Sequence, residues 1–189
     1  MKKIILGFVG EIASGKGTAC EQVIQKHKAG YHRFSTIMRD VLDRLYLDQS
    51  RENLQKLSLI LREGFGQELF AKVVADDVEN DTSNIVCVDG IRRIPDIEFL
   101  QKLPNFHLIN IVADEKSRFE RITKRSENLD DQNKTFEEFQ KDQQGETELT
   151  IREVAAHATI TIDNNGSIEE LGSKLDQLIS KLNQNEPAA

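Results

Sequence analysis

One stretch constrains this chain more than any other: Gly10-Glu11-Ile12-Ala13-Ser14-Gly15-Lys16-Gly17-Thr18. It follows the apolar run Ile4-Ile5-Leu6-Gly7-Phe8-Val9 and precedes a helix-compatible segment from Thr18 to Lys28. A short, continuous apolar run closed by glycine reads as a buried strand, so the local order is strand, loop, helix. That order suits a polyanion. The glycines let the backbone curl so that successive N–H groups turn inward, the following helix offers its positive end, and Lys16 adds a mobile charge. The strict pattern has Ser or Thr directly after the lysine, where this chain has Gly17; the flanking strand and helix carry the reading instead. The expected ligand is a nucleoside triphosphate, held by Gly10, Ala13, Ser14, Gly15, Lys16, Gly17 and Thr18.

The rest of the chain alternates in the same way. Tyr31 to Phe34 is a short apolar piece, and Ser35 or Thr36 is the expected N-cap of a helix running to about Leu47. Leu54, Leu57 and Leu61 recur at helical spacing, as do Leu69, Phe70, Val73, Val74 and Val78. Ile85-Val86-Cys87-Val88 and Leu108-Ile109-Asn110-Ile111-Val112 read as central parallel strands. Thr159 to Ile162 is the last strand candidate. A closing helix follows, announced by the capping box Ser167-x-x-Glu170, with Ile168, Leu171, Leu175, Leu178 and Leu182 along one face. Strands separated by helices predict right-handed crossovers and a three-layer α/β/α architecture around a parallel sheet. A chain of 189 residues accommodates one such domain. Its expected extent is 1–182, with a helical insert at about 35–80, a short lid at about 121–145 and a flexible tail at 183–189.

Charge and cysteine usage narrow the function. A net charge of −7 disfavours a dedicated nucleic-acid binder, which needs a broad cationic face, but leaves small anionic ligands open. Met1-Lys2-Lys3 followed by apolar residues imitates a secretory signal, yet the apolar run stops at Glu11, too short for a signal core; no other stretch approaches membrane-spanning length. Cys20 and Cys87 fall in a predicted helix and a predicted buried strand, as expected of two reduced core thiols in a cytoplasmic protein. His27, His32, His107 and His157 form no ligand-spaced pair. Residues 33–62 hold Arg33, Arg39, Arg44, Arg51 and Arg62 but a single lysine, Lys56. Guanidinium forks grip phosphate oxygens two at a time, so this local preference for arginine points to phosphate handling; a set of solvated helix charges is the competing reading.

Two further strings carry chemistry. Asp89-Gly90-Ile91-Arg92-Arg93 ends a predicted central strand, where open α/β sheets place their ligands. Asp89 there can hold magnesium, directly or through water, with Arg92 and Arg93 over the same crevice; an Asp-Gly turn with two exposed arginines is the alternative. In Arg118-Phe119-Glu120-Arg121-Ile122-Thr123-Lys124-Arg125, Arg121 and Arg125 lie four apart on one helix face, an arrangement that neutralises a triphosphate or, failing that, is an ordinary charged helix. Ser126 to Lys134 is polar and acidic, and the capping box Thr135-x-x-Glu138 starts the next helix, a composition that suits a mobile lid.

Taken in order, GEIASGKGTAC, FSTIMRD, VCVDGIRR, RFERITKR and TIDNNGS resemble the P-loop kinases of small phosphorylated metabolites: adenylate kinase and other nucleoside monophosphate kinases, with dephospho-coenzyme A kinase close by. The resemblance spans nearly the whole chain. It implies a P-loop fold with the sheet order 2-3-1-4-5, ATP as phosphoryl donor, magnesium, and transfer to a nucleoside or deoxynucleoside monophosphate by a monomer or small homo-oligomer. It also implies catalytic roles for Lys16, Arg121, Arg125 and Asp89, and magnesium at Thr18 and Asp89. Arg121 and Asn164 would serve the bound nucleotide, with Asn164 and Asn165 near the donor base; Ser35, Arg39, Arg62, Arg92 and Arg93 would bind the acceptor. The chain departs from the adenylate kinase pattern at Ala13, where a further glycine is usual, and at Ile37 and Met38, where Gly-Asp is usual; Arg39 comes two residues early. The string Asp-Gly-Ile-Arg is closer to a branch related to dephospho-coenzyme A kinase, and Arg51 through Arg62 resembles deoxynucleoside monophosphate kinases.

A monophosphate loses its second proton near pH ~6, so the attacking oxygen is ready at neutral pH and no general base is needed. The chain shows no catalytic His or Cys pattern, in keeping with that. Three functions follow as alternatives: a nucleoside monophosphate kinase, a kinase of another small acceptor such as dephospho-coenzyme A, and an ATPase or nucleotide-binding module. Transfer is favoured if Arg39, Arg62, Arg92 and Arg93 face a crevice, and the ATPase or nucleotide-binding module is favoured if they point to bulk solvent.

Overall fold

Strand β1 (Ile4–Val9) is buried along its whole length, because alternate side chains enter different cores on the two faces of the sheet. Ile4, Leu6 and Phe8 join one core; Ile5 and Val9 join the other. The computed structural model describes residues 3–124 and 134–184. Arg125 and nearly all of the expected lid segment 126–134 lie outside the described residues, as do 185–189.

The elements follow in the order β1, α1 (Lys16–His27), β2 (Gly30–Arg33), α2 (Phe34–Arg44), α3 (Arg51–Phe65), α4 (Leu69–Asn80), β3 (Ile85–Asp89) and α5 (Ile94–Glu98). A 3-10 turn at Leu100–Lys102 leads to β4 (Phe106–Val112), α6 (Glu115–Lys124), α7 (Phe136–Asp142), α8 (Glu146–Ala155), β5 (Ile160–Asp163) and α9 (Ile168–Gln184). All strand pairs are parallel and the sheet order is β2-β3-β1-β4-β5, the architecture expected from the sequence. On one face, α1 and α9 supply Ala19, Cys20, Val23, Leu171, Leu175 and Ile179. On the other, α4, α5 and α8 supply Phe70, Val74, Val78, Ile97, Ile151 and Val154. Cys20 and Cys87 are free and buried in the first of these cores. Among the described residues no helix is long and apolar enough to cross a membrane.

Local details depart from the sequence reading where tertiary contacts decide. Ser35 and Thr36 are not N-caps: α2 starts at Phe34, directly from β2, with extended Arg33 at the cap position and no side-chain cap. Burial of Phe34 in the core fixes the start there and draws Ser35 into the first turn. The helix ends at Arg44 rather than Leu47, stopped by Tyr46 in the left-handed region at φ 56°. At the other end, α9 continues through Gln184 instead of fraying from Asn183, with Leu182 packed against the core behind it. Thr135 and Glu138 form the expected reciprocal capping box.

Candidate active site

The loop after β1 closes through three residues of positive φ: Gly10 (153°), Ala13 (59°) and Gly15 (100°). A side chain could not enter at either glycine. A Cβ on Gly10 would stand 2.3 Å from the Ile111 carbonyl oxygen, and one on Gly15 would stand 2.2 Å from Asn164 Nδ2. Gly15 is also the cap residue of α1 and offers no side-chain oxygen, so the first-turn N–H groups keep their positive end for the loop. Lys16 arches back, its Nζ donating to the carbonyls of Gly10 (2.5 Å) and Glu11 (3.1 Å). These parts form a ring of donors able to hold several adjacent anionic oxygens.

Side chains from three distant elements brace that ring. Arg118 of α6 is buried; it donates to the Ala113 carbonyl (3.2 Å) and the Ile12 carbonyl (3.3 Å), and pairs with Glu11 at 3.2 Å. It also donates to the Gln143 side chain. Arg152 of α8 donates to the same Glu11 carboxylate at 2.8 Å, and Glu148 accepts the Ile12 N–H at 2.9 Å. Asn164, after β5, donates from Nδ2 to the Ser14 carbonyl at 2.8 Å, and Arg121 links the Ser14 and Asn164 carbonyls at 3.4 and 2.6 Å. Arg121 and Asn164 therefore both reach the loop and contact its backbone, the Asn164 amide nitrogen donating to the Ser14 carbonyl. Arg118, Gln143, Glu148 and Arg152 were missed by sequence reasoning. A signal existed in Arg118, one helical turn before Arg121, and in the i,i+4 pair Glu148 and Arg152. A cavity of about 290 Å³ lies against this braced loop, lined in part by Gly10, Glu11, Ser14, Asn110 and Arg152.

Asp89 ends β3, which pairs in parallel with β1, so it lies at the same carboxyl end of the sheet as the loop. Its Oδ1 accepts the Gly90 N–H (2.7 Å); its Oδ2 accepts the Tyr31 hydroxyl (3.0 Å) and lies 3.5 Å from Arg33 Nε. Burial and the adjacent Asp89 carboxylate push the Tyr31 hydroxyl upward in pKa, so it stays a donor. Thr18 lies in the first turn of α1. Among the described residues no three His, Cys, Asp or Glu side chains cluster as a metal cage. The Asp89 carboxylate and the Thr18 hydroxyl are hard oxygen donors of the kind magnesium accepts beside phosphate and water.

The residues expected to bind the acceptor separate into two groups. Arg92 and Arg93 are exposed just beyond β3, their main-chain N–H groups both held by Asp96 Oδ2 at 3.0 Å. Arg39 is turned toward the α2–α3 connection and donates to Gln49 Oε1 at 2.6 Å. Arg62 does not face an open crevice. Its guanidinium is buried over the Phe70 ring at 4.8 Å, pairs with Asp96 at 3.3 Å and donates to the Gln67 carbonyl, because α3 and α4 pack around it. Ser35 Oγ is buried without a partner.

With this geometry the chain can be set beside known proteins. A family model described as "AAA domain" matches residues 9–140. A UPF0200 protein of Thermococcus kodakarensis is 30% identical over 190 residues, covering 95% of this chain and 98% of the relative. This chain belongs to the AAA domain family and to the UPF0200 family. A UPF0200 protein of Hyperthermus butylicus is 28% identical over 180 residues, covering 95% of each chain. Among solved structures, a shikimate kinase of Bacteroides thetaiotaomicron superposes on this UPF0200 chain with a TM-score of 0.63 at 13% identity, covering 94% of this chain and 98% of that one. At that identity the likeness establishes the fold alone, a P-loop kinase fold. The findings stop at this P-loop kinase-like level, which is coarser than the nucleoside monophosphate kinase resemblance in the sequence.

Proposed function

We propose that this protein transfers a phosphoryl group from ATP to a small phosphorylated acceptor, a nucleoside or deoxynucleoside monophosphate, forming the diphosphate. The observation that carries the reading is where polar atoms go unpaired. Among the described residues, the buried side-chain polar atoms without a partner are Ser14 Oγ, Ser35 Oγ and Arg62 Nε. One belongs to the phosphate loop and two to the helical insert beside it. Buried polar groups are paired in roughly nine cases in ten; Arg62 Nε is sealed between Phe70 and Asp96, but Ser14 Oγ in the loop and Ser35 Oγ in the insert support a site completed by ligand.

The chemistry asked of the chain is modest. The loop amides and Lys16 hold the donor phosphates, while Arg92 and Arg93, beyond the end of the neighbouring strand, hold the acceptor phosphate. Thr18 and Asp89 would hold magnesium, which neutralises charge on the phosphate oxygens. A monophosphate acceptor arrives already deprotonated, so the residues have only to align two anions that repel each other and to keep water out.

A coupled assay tests this. MgATP is presented with each common nucleoside and deoxynucleoside monophosphate, with dephospho-coenzyme A and with shikimate, against an acceptor-free control. The expected result is transfer to a monophosphate well above acceptor-free hydrolysis. Hydrolysis alone, equal with and without every acceptor, overturns the reading in favour of a nucleotide-hydrolysing module.

A further inference from the structure

Asp96 lies outside every motif that suggested the function, yet both its oxygens are engaged beside the proposed acceptor side. It is buried (2% exposed) in the first turn of α5, just after Pro95. Its two oxygens divide their work. Oδ2 accepts the main-chain N–H groups of both Arg92 and Arg93 at 3.0 Å, while Oδ1 takes Nη2 of the buried Arg62 from α3 at 3.3 Å. Arg62 in turn lies over Phe70 of α4 and donates to the Gln67 carbonyl in the α3–α4 turn. One carboxylate thus joins the loop that carries the two exposed arginines to the helical insert. A bend in that loop would strip Asp96 of donors, and a shift of α3 would strand a buried guanidinium; both are costly in a site of low dielectric.

We propose that Asp96 is a positioning residue for the acceptor phosphate: it fixes the backbone of Arg92 and Arg93 and, through Arg62, makes that loop and α3 move as one unit. The inference deepens the transfer reading and rests on it only for the identity of the bound phosphate. The mechanical part stands on the contacts alone.

The test uses the full chain and two variants, Asp96→Asn, which keeps shape and an acceptor oxygen but loses the charge, and Arg62→Lys, which keeps the charge but loses the fork. Hydrogen–deuterium exchange followed by mass spectrometry is read at residues 90–94, at α3 and at the phosphate loop, after thermal melting has shown each variant folded. Asp96→Asn should speed exchange at least fivefold in both 90–94 and α3 while leaving residues 10–15 within twofold. Arg62→Lys should move the same two segments by a smaller factor. Loosening of 90–94 with α3 unchanged overturns the coupling, as does an Arg62→Lys protein whose 90–94 segment exchanges like the parent. In the coupled assay, with the monophosphate that turns over fastest in the parent, Asp96→Asn should raise the acceptor KM at least tenfold more than it changes kcat or the KM for MgATP. Equal effects on all three overturn the positioning role. If the parent transfers to no monophosphate, the functional reading fails by itself, and the exchange data still decide the coupling.

Discussion

The phosphate loop and the α2–α3 insert are built differently. The phosphate loop is held from behind by Arg118, Arg121, Glu148, Arg152 and Asn164, drawn from two helices and the segment after β5, and its curvature depends on glycines with no room for a Cβ. The insert of α2 and α3 leaves Leu45, Tyr46, Leu47, Leu59, Ile60 and Phe65 exposed, and Arg39 engages only the side chain of Gln49 among the described residues. A loop that must present amides to the same triphosphate each cycle gains from being preorganised, because no reorganisation remains at the moment of transfer. A surface that must admit and release an acceptor is drawn from the less tightly held parts of a fold. Under the proposed transfer, the donor side is the braced loop and the acceptor side the less tightly held insert.

The sharpest way to break this contrast is Lys16→Ala. It should lower turnover by about a hundredfold or more while shifting Tm by no more than about 3 °C, because the lysine ammonium bonds the Gly10 and Glu11 carbonyls of the loop and not the core. A variant retaining near-normal transfer would remove the phosphate loop from the mechanism. Next comes Arg118→Met, expected to cost about 3 kcal/mol in urea unfolding, since it removes bonds to the Ile12 carbonyl of the loop and the Ala113 carbonyl after β4 and leaves Glu11 with one cation fewer. If stability is unchanged, the loop is not braced from α6.

Two neighbouring glycines then give an internal control. Gly15→Ala should cost about 2 kcal/mol and abolish MgATP binding in calorimetry, because φ is 100° and Asn164 occupies the space a Cβ needs. Gly17→Ala, where a Cβ meets nothing within 4 Å, should bind MgATP and gain about 0.5 kcal/mol as a helical residue. Equal losses at both would mean that the loop is simply intolerant of change. The smallest effect concerns the β2 edge that leads into the insert. Burial pulls the Asp81 carboxyl upward, but the Ser83 N–H and His32 outweigh it and hold it below the ordinary carboxylate range. A carboxylate depressed on folding stabilises above its unfolded pKa, and that contribution disappears as pH falls through the folded value. The Asp81 contribution should be constant from neutral pH to about pH 5 and then decline, so that Asp81→Asn gives the shallower acid limb below that point. Identical acid limbs would show that Asp81 carries no linkage.

How far the sequence reaches depends on the range of the cause. The strands and the loop are legible because a continuous apolar run and a glycine pattern are local signals, and five parallel strands with helical crossovers leave few arrangements. Ser35 was misread as a cap because Phe34 has a place in the core that outranks capping preference. Arg62 was placed in the crevice because charge composition says nothing about which arginine lies over a phenylalanine and opposite a buried aspartate. Glu148 and Arg152 meet the loop across more than 130 residues of chain, a distance that no local pattern encodes.

Cys20 and Cys87 share the sealed layer between α1 and the sheet, and contact with Cys87 together with burial drives the Cys20 thiol well above its ordinary range. Alkylating reagents need a thiolate they can reach, and both thiols are buried in the folded chain. Labelling by iodoacetamide therefore becomes a clock for opening of this layer: its rate, followed by mass with and without MgATP, reports how firmly a bound nucleotide clamps α1 onto the sheet, with no engineered probe.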